Sequence, residues 1–345
     1  MFLFLNNLYL SYLFLGLQFM DASSSQVYPW QQQTWDTLTT RFPKLGHGLL
    51  FYGKKGCGKD AFAQHFLSWV LCLNKTPQGA CGECSSCQWL KSDTHPNYVN
   101  ITTDEENKKQ NAKIKIEKIR DLLPFVQQTV DGWRVIVIEP AEALNIASAN
   151  ALLKTLEEPG ERVLIILLAD HYLKLPATIR SRLQHFAMDR ITPIQTEQYL
   201  QQQLPVEKHA QIQLLMNLSN NMPLQAQSLA ELDWLNRRGE FLQDWFKLVS
   251  QKSMPMQFAS KWNKELSFYD LIQMFEYLLS DIICVKLNQV VKNSDLVFSE
   301  IVMQYDLQTL FSIYENLQQA KLKVDQNVQT NLIIDQLTIQ LMNVT

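Results

Sequence analysis

The stretch "FYGKKGCGKDAF", from Phe51 to Phe62, sets Gly53, Gly56, Gly58 and Lys59 at the spacing G-x4-G-K. A loop of that kind points backbone N–H groups at phosphate oxygens. The helix after it adds partial positive charge, and the lysine reaches the outer phosphates. A Ser or Thr hydroxyl should follow to hold Mg2+, but the next residue is Asp60. Its charge falls close to where phosphates would lie. At an effective dielectric of ~20, two unit charges ~4 Å apart interact by about 4 kcal/mol. Direct ligation of Mg2+ by Asp60 is one alternative, and a tight strand–helix turn without ligand is another. The loop alone weighs against productive ATP binding.

A second strand, "WRVIVIEP" at 133–140, ends on Glu139, which is placed to serve a metal. In phosphate-loop hydrolases an acid in the following position activates water. Here that residue is Pro140, which cannot accept a proton. The hydrolytic base is therefore absent from its expected place.

Four of the six cysteines run as Cys72-x8-Cys81-x2-Cys84-x2-Cys87. Four thiolates can enclose one Zn2+ tetrahedrally, with no open position for a reacting water, which makes a structural site. Gly79 and Gly82 let the chain turn around the metal. The clustering favours metal over a disulfide framework, and a reducing compartment. Cys57 reads as a loop thiol and Cys284 as a core thiol. Arg180 and Arg182 lie in "LPATIRSRLQHF", just past a third apolar run; by themselves they are as well explained as surface residues.

These residues need a scaffold. "GLLFY" (48–52), "PNYVNI", "WRVIVIEP" and "RVLIILLAD" (162–170) read as strands, mostly buried and parallel. Helical spacing lies between them. Around 30–42 a first helix is expected; after the glycine loop, Phe62, Phe66, Trp69, Val70 and Leu73 share a face. A third helical stretch holds Ile116, Ile119, Leu122 and Leu123, and "AEALNIASANALLKTLEEPG" stops at Pro159-Gly160. Alternation of this kind implies a parallel sheet covered on both faces. From about Thr192 the strand signals cease. Short helices broken at Pro205 and Pro223 follow, then helical periodicity alone from Asp233.

The 345 residues allow two or three domains, and a net charge of -3 argues against coating nucleic acid by charge alone. Residues 1–20 carry no charge and are long enough to span a bilayer, yet no Lys or Arg precedes Arg41, and Asn6, Asn7 and Gln18 are costly in lipid. The favoured reading is that translation starts at Met20; a membrane anchor and a buried or flexible extension are the alternatives.

Degenerate phosphate loop, four-cysteine insertion, "THPNY", "IKIEKIRDL", "NALLKTLEEP" and "TIRSR" occur in that order. In this the chain resembles the delta-prime subunits of the bacterial replicative clamp loader, part of the DNA polymerase III holoenzyme. The resemblance covers Val27 to Arg190 strongly. It implies an α/β RecA-like AAA+ domain at 27–190 with a zinc-binding insertion, a small helical lid at 191–232 and an all-α collar at 233–345, after an apolar extension at 1–26. It implies structural Zn2+ on Cys72, Cys81, Cys84 and Cys87. It further implies that Arg182, in the Ser181-Arg182 pair, is an arginine finger for the ATP site of a neighbouring motor subunit. The expected role is a cytoplasmic, non-hydrolysing stator, with no ATPase or polymerase activity of its own and with nucleotide binding at Lys59 left open. Its expected partners are gamma/tau motor subunits and the clamp-opening delta subunit in a pentameric ring that loads the sliding clamp onto primed DNA, with no membrane. The alternative is an active gamma/tau-like motor subunit. Leu183 departs from the family's usual Ser-Arg-Cys, and Asp170-His171 stands where motor subunits carry a polar sensor.

Overall fold

The computed structural model describes residues 27–103, 113–128, 130–324, 326 and 328–342. The expectation for residues 1–20 lies outside them. Two compact units result. One holds the described residues up to Gly53 together with Gly58–Thr102 and Ile114–Met188; the other holds Lys54–Cys57 and the chain from Asp189 onward.

The first unit is built on five parallel strands: β1 (Gly48–Tyr52), β2 (Tyr98–Ile101), β3 (Arg134–Ile138), β4 (Val163–Ala169) and β5 (Gln184–Ala187), in the order β2-β3-β4-β1-β5. β3 and β4 are buried along their whole length. Their unbroken Val, Ile and Leu runs suit strands covered on both faces. The four strands expected from sequence are present. β5 was not expected: it is an edge strand of four residues with Gln184 and His185 exposed, too short and polar to signal itself.

Seven helices accompany the sheet among the described residues: α1 (Gln32–Arg41), α2 (Lys59–Leu71), α3 (Ser85–Lys91), α4 (Ile116–Arg120), α5 (Leu122–Gln127), α6 (Ile146–Glu157) and α7 (Ala177–Arg180). Side chains alternate across β1, so Leu50 packs with Ile136, Ile165, Leu152 and Leu156 in one core cluster. Phe51 turns the other way, edge-on to Phe62 at 5.3 Å and Phe66 at 6.3 Å; Trp35 of α1 meets the same two rings. α2 ends earlier than its apolar spacing suggests. Cys72 is its C-cap in extended geometry, so Leu73 leaves the shared face and is 68% exposed. α6 begins only at Ile146, where Asn145 caps Ser148 N.

The second unit is helical from α8 (Pro193–Gln203) through α9 (Ile212–Leu218), α10 (Pro223–Ala230), α11 (Arg238–Val249), α12 (Pro255–Glu265), α13 (Phe268–Lys286), α14 (Ser299–Val302) and α15 (Leu307–Val324) to α16 (Thr330–Leu341). Pro205 follows the end of α8, but Pro223 opens α10 rather than breaking a helix, consistent with proline's fitness for the first helical turn. Trp234, Trp245, Trp262 and Tyr305 are fully buried there. Trp245 Nε1 donates to Tyr305 Oη at 2.9 Å, and Tyr305 Oη donates to Leu341 O, so these two rings enter the core with their polar atoms satisfied, whereas Trp234 Nε1 and Trp262 Nε1 are buried without a partner among the described residues. Among the described residues no helix is long and apolar enough to cross a membrane.

Candidate functional site

The phosphate loop joins β1 to α2, as its strand–loop–helix context requires. Gly56 (φ +87°) and Gly58 (φ +84°) are in the left-handed region, which favours glycine. A Cβ on Gly58 would also meet the Tyr28 ring at 2.9 Å. Gln31 Nε2 donates to Gly58 O at 3.0 Å, so the segment before α1 grips the loop's end.

Lys59 is buried, and its Nζ donates to Asp170 Oδ1 at 2.5 Å, with Asp60 Oδ1 at 3.5 Å. Asp170 is the residue just past β4. Glu139 follows β3 in the same cluster. Burial, the Asp60 charge and a hydrogen bond to that carboxylate push Glu139 up to about 8, with Asp170 adding and Lys59 opposing. Three carboxylates thus surround one lysine at the expected phosphate position. Sequence reading named each of these residues but not the direct Lys59–Asp170 pairing, because 111 residues separate the two. Only the adjacency of β1 and β4 brings them together.

Cys57 lies in the loop, as expected, but is fully buried, and Cys284, expected in the core, is only partly buried. The other four cysteines converge. Their sulfurs all lie within 4.8 Å of one another, at 3.5 Å for Cys72–Cys81, 3.9 Å for Cys72–Cys84, 4.0 Å for Cys81–Cys87 and 3.5 Å for Cys84–Cys87. A tetrahedron with metal–sulfur distances of about 2.3 Å has edges of roughly 3.8 Å, so the set fits one metal ion. Cys81 N and Cys84 N donate to the sulfurs of Cys72 and Cys81 at 3.2 and 3.4 Å. The stem is strapped to the helices below by Trp69 Nε1 on Thr76 O (2.7 Å) and Trp35 Nε1 on Pro77 O (3.0 Å). Ser86, between two of the cysteines, bonds Leu71 O and His95 Nε2, both at 2.8 Å. Asn97 N donates to His95 Nδ1. That leaves Nε2 as the protonated nitrogen and Ser86 as its acceptor, a structural tie rather than an activated serine.

Arg180 and Arg182 differ. Arg180 Nε donates to Leu175 O at 3.2 Å and its guanidinium lies 5.8 Å from the Tyr172 ring centre. Arg182 stands in the turn before β5, with its side chain 36% exposed and paired to Glu157. Leu183, the departure from Ser-Arg-Cys, is buried in the core of this unit.

The family model described as "DNA polymerase III, delta subunit" matches residues 30–192. The delta' subunit of DNA polymerase III from Pseudomonas aeruginosa is 36% identical over 241 residues, covering 69% of this chain and 72% of that one. The chain belongs to the delta-prime family of DNA polymerase III subunits. The delta' subunit of Haemophilus influenzae is 29% identical over 69% of this chain and 72% of its own length. The tau/gamma subunit of the same organism is 33% identical, but over half of this chain and 25% of its own. Delta-prime membership is thus favoured over a tau/gamma motor, and the chain is a component of the clamp-loader assembly.

Proposed function

We propose that this chain is the non-hydrolysing stator of the clamp loader and completes a neighbour's ATP site with Arg182. The observation that carries the reading is the Lys59–Asp170 ion pair. The loop's lysine is engaged by a carboxylate of its own chain, and Asp60 adds negative charge where a triphosphate would have to enter, with the buried carboxyl of Glu139 beside it. Pro140 offers no base beside Glu139. The fold of a nucleotide-binding domain is kept, and what it presents to others is the arginine before β5.

In this reading Arg182 reaches into the site of a tau/gamma motor subunit, where a finger supplied in trans is worth ~10^3 to 10^5 in phosphoryl-transfer rate. The second unit divides into a lid at 191–232 and a collar at 233–345 that joins a pentameric ring with motor subunits and the clamp-opening delta subunit. The ring acts in the cytoplasm on the sliding clamp and primed DNA. The metal on Cys72, Cys81, Cys84 and Cys87 is Zn2+: the all-thiolate set and its tetrahedral spacing suit that ion, and a closed site assigns it to structure. The test is ATP turnover by the purified chain beside turnover by the reconstituted loader. The isolated chain should show none above background, and sustained turnover abolished by Lys59→Ala would favour a motor subunit instead.

A further inference from the structure

The guanidinium of Arg182 is held. Glu157 Oε1 accepts from Nε at 2.9 Å and from Nη2 at 2.6 Å, and Thr178 O accepts from Nη1 at 2.8 Å. Those three bonds use three of the five N–H groups, and leave one hydrogen on each terminal nitrogen for an outside oxygen. The anchors stand on packed elements, although the Glu157 side chain itself is 51% exposed. Glu157 is the last residue of α6, whose Leu152 and Leu156 are fully buried, and Thr178 belongs to α7. Arg182 itself sits two residues before β5, which is paired to β1. Glu157 also stands at a helix C-terminus, where a carboxylate is disfavoured by the helix dipole. Arg182 offsets that placement.

We infer that Glu157 is the positioning residue of the arginine finger: it grips the Nε edge so that the terminal nitrogens face outward at a fixed height. This rests on the reading of Arg182 as a finger in trans. An unheld arginine carries large rotamer freedom that must be lost at each turnover, whereas a tethered fork is ordered beforehand. Glu157 touches no nucleotide in this scheme; it acts only through Arg182.

The experiment is ATP turnover by the loader reconstituted with its motor subunits, stimulated by clamp and primed DNA. Assembly is checked by size-exclusion chromatography. Glu157→Ala should lower kcat about tenfold with KM for ATP unchanged, since a misplaced group costs rate rather than ground-state binding. Glu157→Gln, which keeps an acceptor oxygen, should restore most of the loss. In an Arg182→Ala background, Glu157→Ala should cost nothing further, because the two act as one unit. The inference is overturned if Glu157→Ala leaves kcat unchanged while Arg182→Ala lowers it, if it raises kcat, or if it costs the same factor with and without Arg182. An Arg182→Ala loader that turns over normally would instead remove the finger, and the role of Glu157 with it.

Discussion

Lys59 and Arg182 both end against a carboxylate, Asp170 in one case and Glu157 in the other. The Lys59 side chain is 6% exposed and Arg182 is 36% exposed. Lys59 also has the Asp60 carboxylate beside it and, nearby, the carboxyl of Glu139, which burial pushes up to about 8. Arg182 has one carboxylate, shared through a single oxygen, and keeps a hydrogen on each terminal nitrogen. In the proposed reading the same ion-pair chemistry closes one site and prepares the other. Burial and the second carboxylate of Asp60 beside Lys59 make the difference.

The largest effect that can break this contrast comes from Arg182→Lys. Lysine keeps the charge and loses the planar fork. At the site it serves, hydrolysis should fall by about 10^3, close to the loss expected from Arg182→Ala. Single-turnover hydrolysis in a loader with one competent motor site reads this directly. A lysine that sustains full rate would mean charge alone suffices.

Much of this was legible beforehand, for reasons that can be named. Long apolar runs such as "RVLIILLAD" report buried parallel strands because neither face meets water. Cysteine spacing reported the metal set because its ligands are close in sequence. What stayed hidden depends on long-range adjacency. Asp170 meets Lys59 only through the β1–β4 pairing, and Glu157 meets Arg182 across 25 residues. Leu73 misled because helical spacing continues past a helix that stops at Leu71. β5 escaped notice because an edge strand of four residues needs no apolar run.

Removal of the metal tests whether the insertion is independent of the contrast. Chelation, or Cys84→Ser, should lower the melting temperature of the chain by several degrees, since each kcal/mol lost costs roughly 2–4 °C in a protein of this size. Metal analysis should give close to one zinc per chain. An unchanged melting temperature after demonstrated metal loss would remove the structural role.

Asp170→Asn sharpens the comparison from the other side. It releases Lys59 and removes one anion. Nucleotide affinity of the isolated chain should rise by about tenfold, with hydrolysis still absent because Pro140 is unchanged. Isothermal titration with ATP and Mg2+ measures this. No gain would mean that Asp170 is not what keeps phosphate out.

A further effect concerns pH. Glu139 is raised in the folded chain to about 8 from an ordinary value of 4.5, so between those values the folded state binds the extra proton. Stability from this group is therefore full below pH 4.5 and falls as pH rises toward 8. Glu139→Gln should flatten that slope, with the variant gaining on the natural chain at pH 8.5 more than at pH 5. Parallel melting curves at both values would contradict the raised carboxyl.

The central claim is that this chain contributes an arginine and no working lysine. One loader preparation, with Lys59→Ala and Arg182→Ala measured side by side for clamp- and DNA-stimulated ATP turnover, tests it most directly. The account predicts normal turnover for Lys59→Ala and a severe loss for Arg182→Ala; the opposite pattern would contradict it.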